Sequence, residues 1–391
     1  MTKKKFIKEV ILISMGPASE PGTWSGVPFF LIRELKKRNI IIHEIDLEPH
    51  RYIKWIYNRI ILPFISFFVT KGELSIYRSI FFCIYQQCVL VRKIKQYDSA
   101  ELILGVSAFN IAIPKTQKTT VLFGDWPYSY ALEKKYGNNI GIYQKYWSKH
   151  EDNCMRNADL LISLFPTCVN YINKRLRDNK AIYLGVNVVN NLINSPSPEI
   201  ISQKTQKCRL VFIGRHHYMS GAISLLKAYN ELIETMPYIE LDIIGLQSMD
   251  FPPTLINDMK GNVRFHGYLD KGNVLDCRTY YNILKNASLY VNTTPGWVGY
   301  TSMIEAMYFY TPIIVYPCKE FIDEFGCQID FGKYANETDN LATLIEKIYT
   351  GKEYIQMAQN AHERVSNYTW QHFVDLLLDN IHLAMMNKTL K

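Results

Sequence analysis

The chain has 391 residues, 48% hydrophobic and 20% charged, a make-up that excludes a disordered or fibrous protein and suits two domains of middling size better than one. The net charge of +8 is uneven: residues 1–115 hold 17 Lys/Arg against 9 Asp/Glu, an excess equal to the whole net charge, which points to an anionic partner for that third. The longest apolar stretch, 60–69, contains Pro63 and falls short of the ~20 residues a membrane-spanning helix needs, and the apolar run VILIS after the basic start is only a strand's length, so neither a spanning helix nor a secretory signal is expected.

Read in chain order, the first half alternates strands and helices. A strand over 9–14 leads through a Gly/Pro-rich loop to a helix at 27–38 and a strand at 40–45. Two long apolar and basic helical stretches follow, about 53–69 and 74–96, then strands at 101–105 and 119–123. A helix at 141–157, a short buried strand at 159–163 and a helix at 166–177 complete the half. Residues 190–207 have the composition of a linker. The alternation then restarts, with strands at 209–213, 240–244, 263–266, 288–292 and 312–316. Helices are expected at 222–235, 280–285, 302–308, 340–349 and 354–365, with a last one at 370–386. The fold class is therefore α/β with two Rossmann-like domains, residues 1–195 and 206–366. None of the eight cysteines forms a CxxC pair or a Cys/His cluster with zinc spacing, and reduced thiols are expected.

Parallel sheets bind ligands at the carboxyl ends of their strands, so the loops after strands carry the candidate sites. In MGPASEPGTWSGVPFF, Gly22 and Gly26 permit close backbone approach, Ser25 can cap the helix and Pro28 suits its first turn; an anion on the helix N-terminus and a plain capped turn both fit. In RLVFIGRHHYMSG, Gly214 turns the chain sharply and Arg215 projects from the strand end, where a guanidinium can grip a diphosphate or simply be solvated. In VNTTPGWVGYTSMIEAM, Ser302 and Glu305 have the spacing of a capping box, which competes with a reading in which phosphate sits on the helix N-terminus and Glu305 accepts ribose hydroxyls. In VLFGDWPYSY, Asp125 beside Trp126, Tyr128 and Tyr130 fits a sugar-binding edge and equally a turn with core rings.

Together these loops resemble the family-4 glycosyltransferases, retaining enzymes of GT-B fold, across most of the chain. WSGVPFFLIRELKKR is similar to the family's first helix, LGVNV to the end of its N-terminal domain, and RLVFIGR with SGAISLLKAYNEL to the opening of its nucleotide-binding domain. NVRFHGYLDKGN, SMIEAMYFYTPIIV and YTWQHFVDLLLDNI come next in the family's order. The resemblance implies two domains facing across a cleft, with the helix of 367–391 crossing back to the N-terminal, acceptor-binding domain. It implies that Arg215 holds the donor diphosphate and Glu305 the ribose, with Gly214, Thr301, Ser302 and the adjoining Tyr300 at the donor phosphates and Gly267 and Tyr268 in the loop flanking the base. Gly22 or Gly26 would admit the diphosphate to the first domain, and Asp125 stands where the family touches the donor sugar or acceptor. Two positions depart from the family. Ser220 stands where it has a phosphate-neutralising Lys, and Trp297 where it has an acidic residue on the donor sugar.

The resemblance implies a glycosyltransferase of hexosyl type, moving a sugar from a nucleotide-diphosphate donor to a cell-surface glycan or lipid-linked oligosaccharide, as in lipopolysaccharide synthesis. No cofactor or metal is expected, since no DxD-type pair sits at a strand end, and no nucleic-acid motif accompanies the basic charge. Basic and apolar residues mingle in 51–95, which points to a cytoplasmic protein peripheral on the inner face of the plasma membrane, with an anionic lipid surface as partner. A nucleotide-sugar epimerase of the same architecture and a degenerate binding protein remain open as alternatives.

Overall fold

The structure, a computed structural model, describes residues 7–69, 74–137, 139–185, 196–296, 299–336 and 338–389. The chain divides into two compact units, Met1–Asn187 with Trp370–Lys391, and Val188–Thr369.

The first unit is built on strands β1 (Glu9–Ser14), β2 (Ile41–Asp46), β3 (Leu102–Val106), β4 (Thr119–Gly124), β5 (Leu160–Ser163) and β6 (Ala181–Ile182). They form one parallel sheet in the order β2-β1-β3-β4-β5-β6. Covered on both faces, such a sheet needs unbroken apolar strands rather than alternating ones, which is why Val10–Ile13 and Val121–Phe123 are wholly buried. Phe82, Leu90 and Ile94 of the helix Ile80–Gln96 meet Ile11, Ile103 and Leu122 in its core. The helix Trp370–Thr389 belongs to this unit, as expected of the final helix. Trp370 stacks on Phe30, Phe373 packs on Phe123, Arg38 donates to Asp375 at 2.6 Å, and Lys388 to Asp159 at 2.8 Å.

The stretch expected as one helix over 53–69 is Arg51–Ile56, a π-helical turn at Tyr57–Ile61, and Leu62–Phe68. These run on without interruption, so the stretch is one helix with a π-helical turn inserted just before Pro63, whose ring and missing N–H do not fit a regular α-helical interior. Most of the apolar residues in 51–81 are not core. Trp55 is 59% exposed, Phe64 70% and Phe67 80%, and Ile53, Ile56, Ile60 and Phe81 are exposed as well, whereas Phe82 is buried. No described helix is long and apolar enough to cross a membrane.

The second unit carries β7 (Arg209–Ile213), β8 (Glu240–Ile244), β9 (Asn262–Gly267), β10 (Leu289–Asn292), β11 (Ile313–Val315) and β12 (Gly332–Tyr334), all parallel in the order β12-β11-β10-β7-β8-β9. This is the doubly wound order of dinucleotide-binding folds. Residues 190–195 of the expected linker lie outside the described residues. The rest departs from a linker, because Ile200–Gln206 is a helix whose Lys204 is fully buried. Its ammonium donates to the Leu284 and Ala287 carbonyls and to Thr311, capping the last turn of the helix Val274–Asn286, and burial pushes its pKa well below the usual lysine range. The helices Tyr128–Tyr136 and Lys319–Phe325 and the strands β6 and β12 also lie outside the elements expected from sequence.

Candidate active site

In the second unit the strand order reverses between β7 and β10, so the loops leaving these strands diverge and open a crevice at the carboxyl edge. The chain turns there through a close backbone approach. The Gly214 amide donates to Ile244 at 3.0 Å, and a Cβ on Gly245, which sits at φ +95°, would lie 2.4 Å from the Gly214 carbonyl oxygen. Only glycine fits such an approach. Arg215 therefore emerges at the rim, exposed, with its guanidinium 4.5 Å from the ring centroid of Tyr268. Tyr268 is 53% exposed and follows Gly267, at φ +63°, where β9 ends. The two expected donor-binding segments thus meet through a cation–π contact. Ser220, in the first turn of the helix Met219–Thr235, is exposed. That helix is seated on the loop after β10, since a Cβ at Gly221 would come within 2.4 Å of Thr294 Oγ1.

The helix Tyr300–Tyr308 starts at Gly299 in left-handed conformation, with no side-chain cap. The expected capping box does not form. Ser302 lies inside the first turn, where its hydroxyl donates to the Gly299 carbonyl at 2.8 Å and pairs with Tyr290 at 3.1 Å. Thr301 and Ser302 remain in the first turn, whose amides face out along the axis. The Tyr300 side chain corrects the expectation of a donor contact: it is buried against Phe321 and Phe325, and only its backbone stays at the helix start. Trp297 lies outside the described residues.

Glu305, one turn further on, accepts from Lys271 Nζ on both carboxylate oxygens, at 2.7 and 2.8 Å, and from the Tyr280 hydroxyl. Burial, with the charge of Glu305 beside it, holds the Tyr280 phenol well above its ordinary pKa, so it stays a donor. Lys271 and Tyr280 were not singled out in the sequence. They lie 34 and 25 residues from Glu305 and carry no local signal. From His266, near this edge, a network runs back toward the amino end of the sheet: His266 bonds Asp242 at 2.7 Å, and Arg264 bridges Asp242 and Glu240, the first residue of β8. Burial would raise Glu240, but the hydrogen bonds from Lys207 and Arg264 outweigh it and bring its carboxyl to about 2.

The first unit's carboxyl edge is different in kind. In the loop after β1, Trp24 and Ser25 adopt positive φ and Gly26 follows at +83°, where a Cβ would meet the Phe30 ring at 3.0 Å. Ser25 does not cap the helix Val27–Lys37, whose N-cap is Gly26, while Pro28 does occupy its first turn. Gly22, at φ −74°, is in a conformation open to any residue. Trp24 packs edge-on against Phe123 at the end of β4, and its side chain hydrogen-bonds Asp125. Asp125 also accepts the Trp126 amide at 2.7 Å, and burial nevertheless raises its carboxyl above the ordinary range. Asp125 stands at a bend, and Trp126, Tyr128 and Tyr130 after it are half-buried rather than core. Trp126 lies under Lys134 and Tyr128 under Arg78. Behind them Glu151, whose carboxylate accepts the Tyr128 amide at 2.6 Å, is pushed by burial up to about 7, with Arg78 opposing.

Among the described residues, no group of three or more His, Cys, Asp or Glu side chains is placed to hold a metal ion. No curated protein matches the sequence. Residues 207–350 match the family description "Glycosyl transferases group 1". The whole chain is similar in structure to sucrose-phosphate synthase from Thermosynechococcus elongatus (13% identity, TM-score 0.64), covering 97% of this chain and 98% of that one. It is also similar to WaaG, a glycosyltransferase involved in lipopolysaccharide biosynthesis (14%, TM-score 0.60, 96% and 99% covered). A third likeness is to Anabaena Alr3699/HepE, solved in complex with UDP (12%, TM-score 0.60, 95% and 99% covered). With two parallel six-stranded sheets the chain has the GT-B fold, and its second unit carries a group 1 glycosyltransferase domain spanning the strands from β7 to β12.

Proposed function

We propose that the chain transfers a hexosyl-type group, with retention of configuration, from a nucleoside-diphosphate sugar to a cell-surface glycan or lipid-linked oligosaccharide. The observation that carries the donor reading is Arg215, exposed at the strand-order reversal of the unit that holds the group 1 match. A diphosphate leaving group develops charge as the glycosidic bond breaks, and a fixed guanidinium with helix N-terminal amides stabilises that charge. The acceptor hydroxyl attacks on the face from which the diphosphate leaves, and no enzyme nucleophile is needed. In this reading the protein's own cations neutralise the diphosphate, and the reaction is metal-independent. The aromatic first-unit edge around Trp24 and Asp125 suits an uncharged sugar: rings stack on its faces and Asp125 accepts its hydroxyl protons. A thermal-shift panel of UDP-, GDP- and ADP-sugars tests the reading, and stabilisation by none of them would overturn it. An NMR assignment of the product's anomeric configuration tests retention.

The acceptor is proposed to be reached at the inner face of the plasma membrane. Exposed Trp55, Ile60, Phe64 and Phe67 beside Lys54 and Arg59 suit an interface of acyl chains and anionic head groups. The protein should float with anionic vesicles, less so in high salt, and a Trp55→Ser/Phe64→Ser/Phe67→Ser variant should not. Failure of the parent to float at low salt points instead to a soluble acceptor.

A further inference from the structure

The resemblance assigns Glu305 to the ribose, but burial places a different group in front. The Glu305 side chain is 1% exposed and that of Lys271 is 18% exposed. Solvent therefore reaches the Lys271 side chain and not the carboxylate, and an incoming ligand meets Lys271 first. Two of the three ammonium donors suffice for the contacts at 2.7 and 2.8 Å to Glu305, which leaves one for a ligand. The Tyr280 ring, 4.3 Å from Nζ, and the Tyr280 hydroxyl on Glu305 fix the stem and the carboxylate together. The loop after β9 that delivers Lys271 also carries Tyr268, on which Arg215 lies. Both cations thus belong to one loop system at the carboxyl edge, while position 220, where the resemblance expects a lysine, holds an exposed serine.

We infer that Lys271 is the second cation of the donor diphosphate site, doing the work of the lysine absent at position 220, and that Glu305 and Tyr280 act as its positioning residues rather than as ribose ligands. The inference rests on the nucleoside-diphosphate reading above. A carboxylate locked beneath an ammonium holds it at fixed height without the rotamer freedom of a free lysine, which makes each phosphate contact cheaper in entropy.

The test is calorimetric titration of the full chain with UDP, GDP and ADP, and ligand-observed NMR titration with the matching nucleoside. Lys271→Met should weaken the diphosphate that binds by about 10- to 100-fold and leave the nucleoside unchanged, with a shallower salt dependence. Glu305→Gln should weaken the diphosphate in the same sense, again sparing the nucleoside. The double variant Lys271→Met/Glu305→Gln, which buries no lone charge, should be no worse than Lys271→Met alone. Unchanged diphosphate affinity in the double variant overturns the inference, as does a Glu305→Gln variant that loses the nucleoside, since that is the signature of a ribose ligand. A parent that binds none of the three diphosphates overturns the donor reading itself and this inference with it.

Discussion

The two carboxyl edges handle charge in opposite ways. At the first unit's edge burial wins: it holds Asp125 above the ordinary carboxylate range against hydrogen bonds from Trp126 and Trp24, and takes Glu151 to about 7 against Arg78 and Arg175. At the second, the buried Glu305 comes with Lys271 in contact, and at the amino end of the same sheet Glu240 comes with Lys207 and Arg264, which hold it at about 2. Desolvation acts on both edges, and what differs is whether a cation lies within hydrogen-bond reach. An edge that suppresses charge suits a neutral sugar, and one stocked with ion pairs and an exposed arginine suits a phosphorylated donor.

The largest expected effect breaks the second edge. Arg215→Ala should cost ~2–4 kcal/mol of nucleoside-diphosphate affinity by titration calorimetry, because it removes a charge-assisted contact at the rim. Ser220→Lys should leave that affinity intact or tighten it.

The next prediction sharpens the contrast through pH. Glu151 binds its proton more tightly folded, at about 7, than its ordinary value of 4.5, so its contribution is fully present below pH 4.5 and is lost as pH rises through 7. The span of the shift corresponds to about 3 kcal/mol, and Glu151→Gln should remove that slope from denaturant-unfolding curves. Glu240 has the reverse sign. Its folded value of about 2 lies below 4.5, so its contribution is present above pH 4.5 and is lost as pH falls toward 2, and Glu240→Gln should flatten the acid limb. Slopes of the same sign at both residues would break the comparison.

A smaller effect concerns the backbone of the first edge. Gly26→Ala, at φ +83° and facing the Phe30 ring, should cost ~1–2 kcal/mol of stability by denaturant unfolding, while Gly22→Ala should cost far less. Smallest is Arg38→Ala, which loses the bridge to Asp375 on the helix Trp370–Thr389 and should cost ~0.5–1 kcal/mol in the same assay.

Much of this was readable from the sequence where a signal is local. The strand Glu9–Ser14 and the strand–Gly214–Arg215 turn come from unbroken apolar runs, the second ending in glycine. The misreadings occur where distant residues decide. The polar stretch containing Lys204 has a linker's composition, yet it folds as a helix because the lysine finds carbonyls 80 and 83 residues away. The Ser302/Glu305 spacing suggests a capping box, but Gly299 starts the helix three residues early and Lys271 claims the carboxylate. The row from Trp55 to Phe67 is no misreading: its composition fits a core face and an exposed face alike, and the structure leaves it exposed.

The central claim is that the donor binds at the second unit's carboxyl edge. Hydrogen–deuterium exchange with and without the nucleoside diphosphate that binds tests it most directly. Binding at this edge should slow exchange in 214–222, 267–273 and 299–305. Bound nucleotide that leaves these three segments unprotected would contradict it.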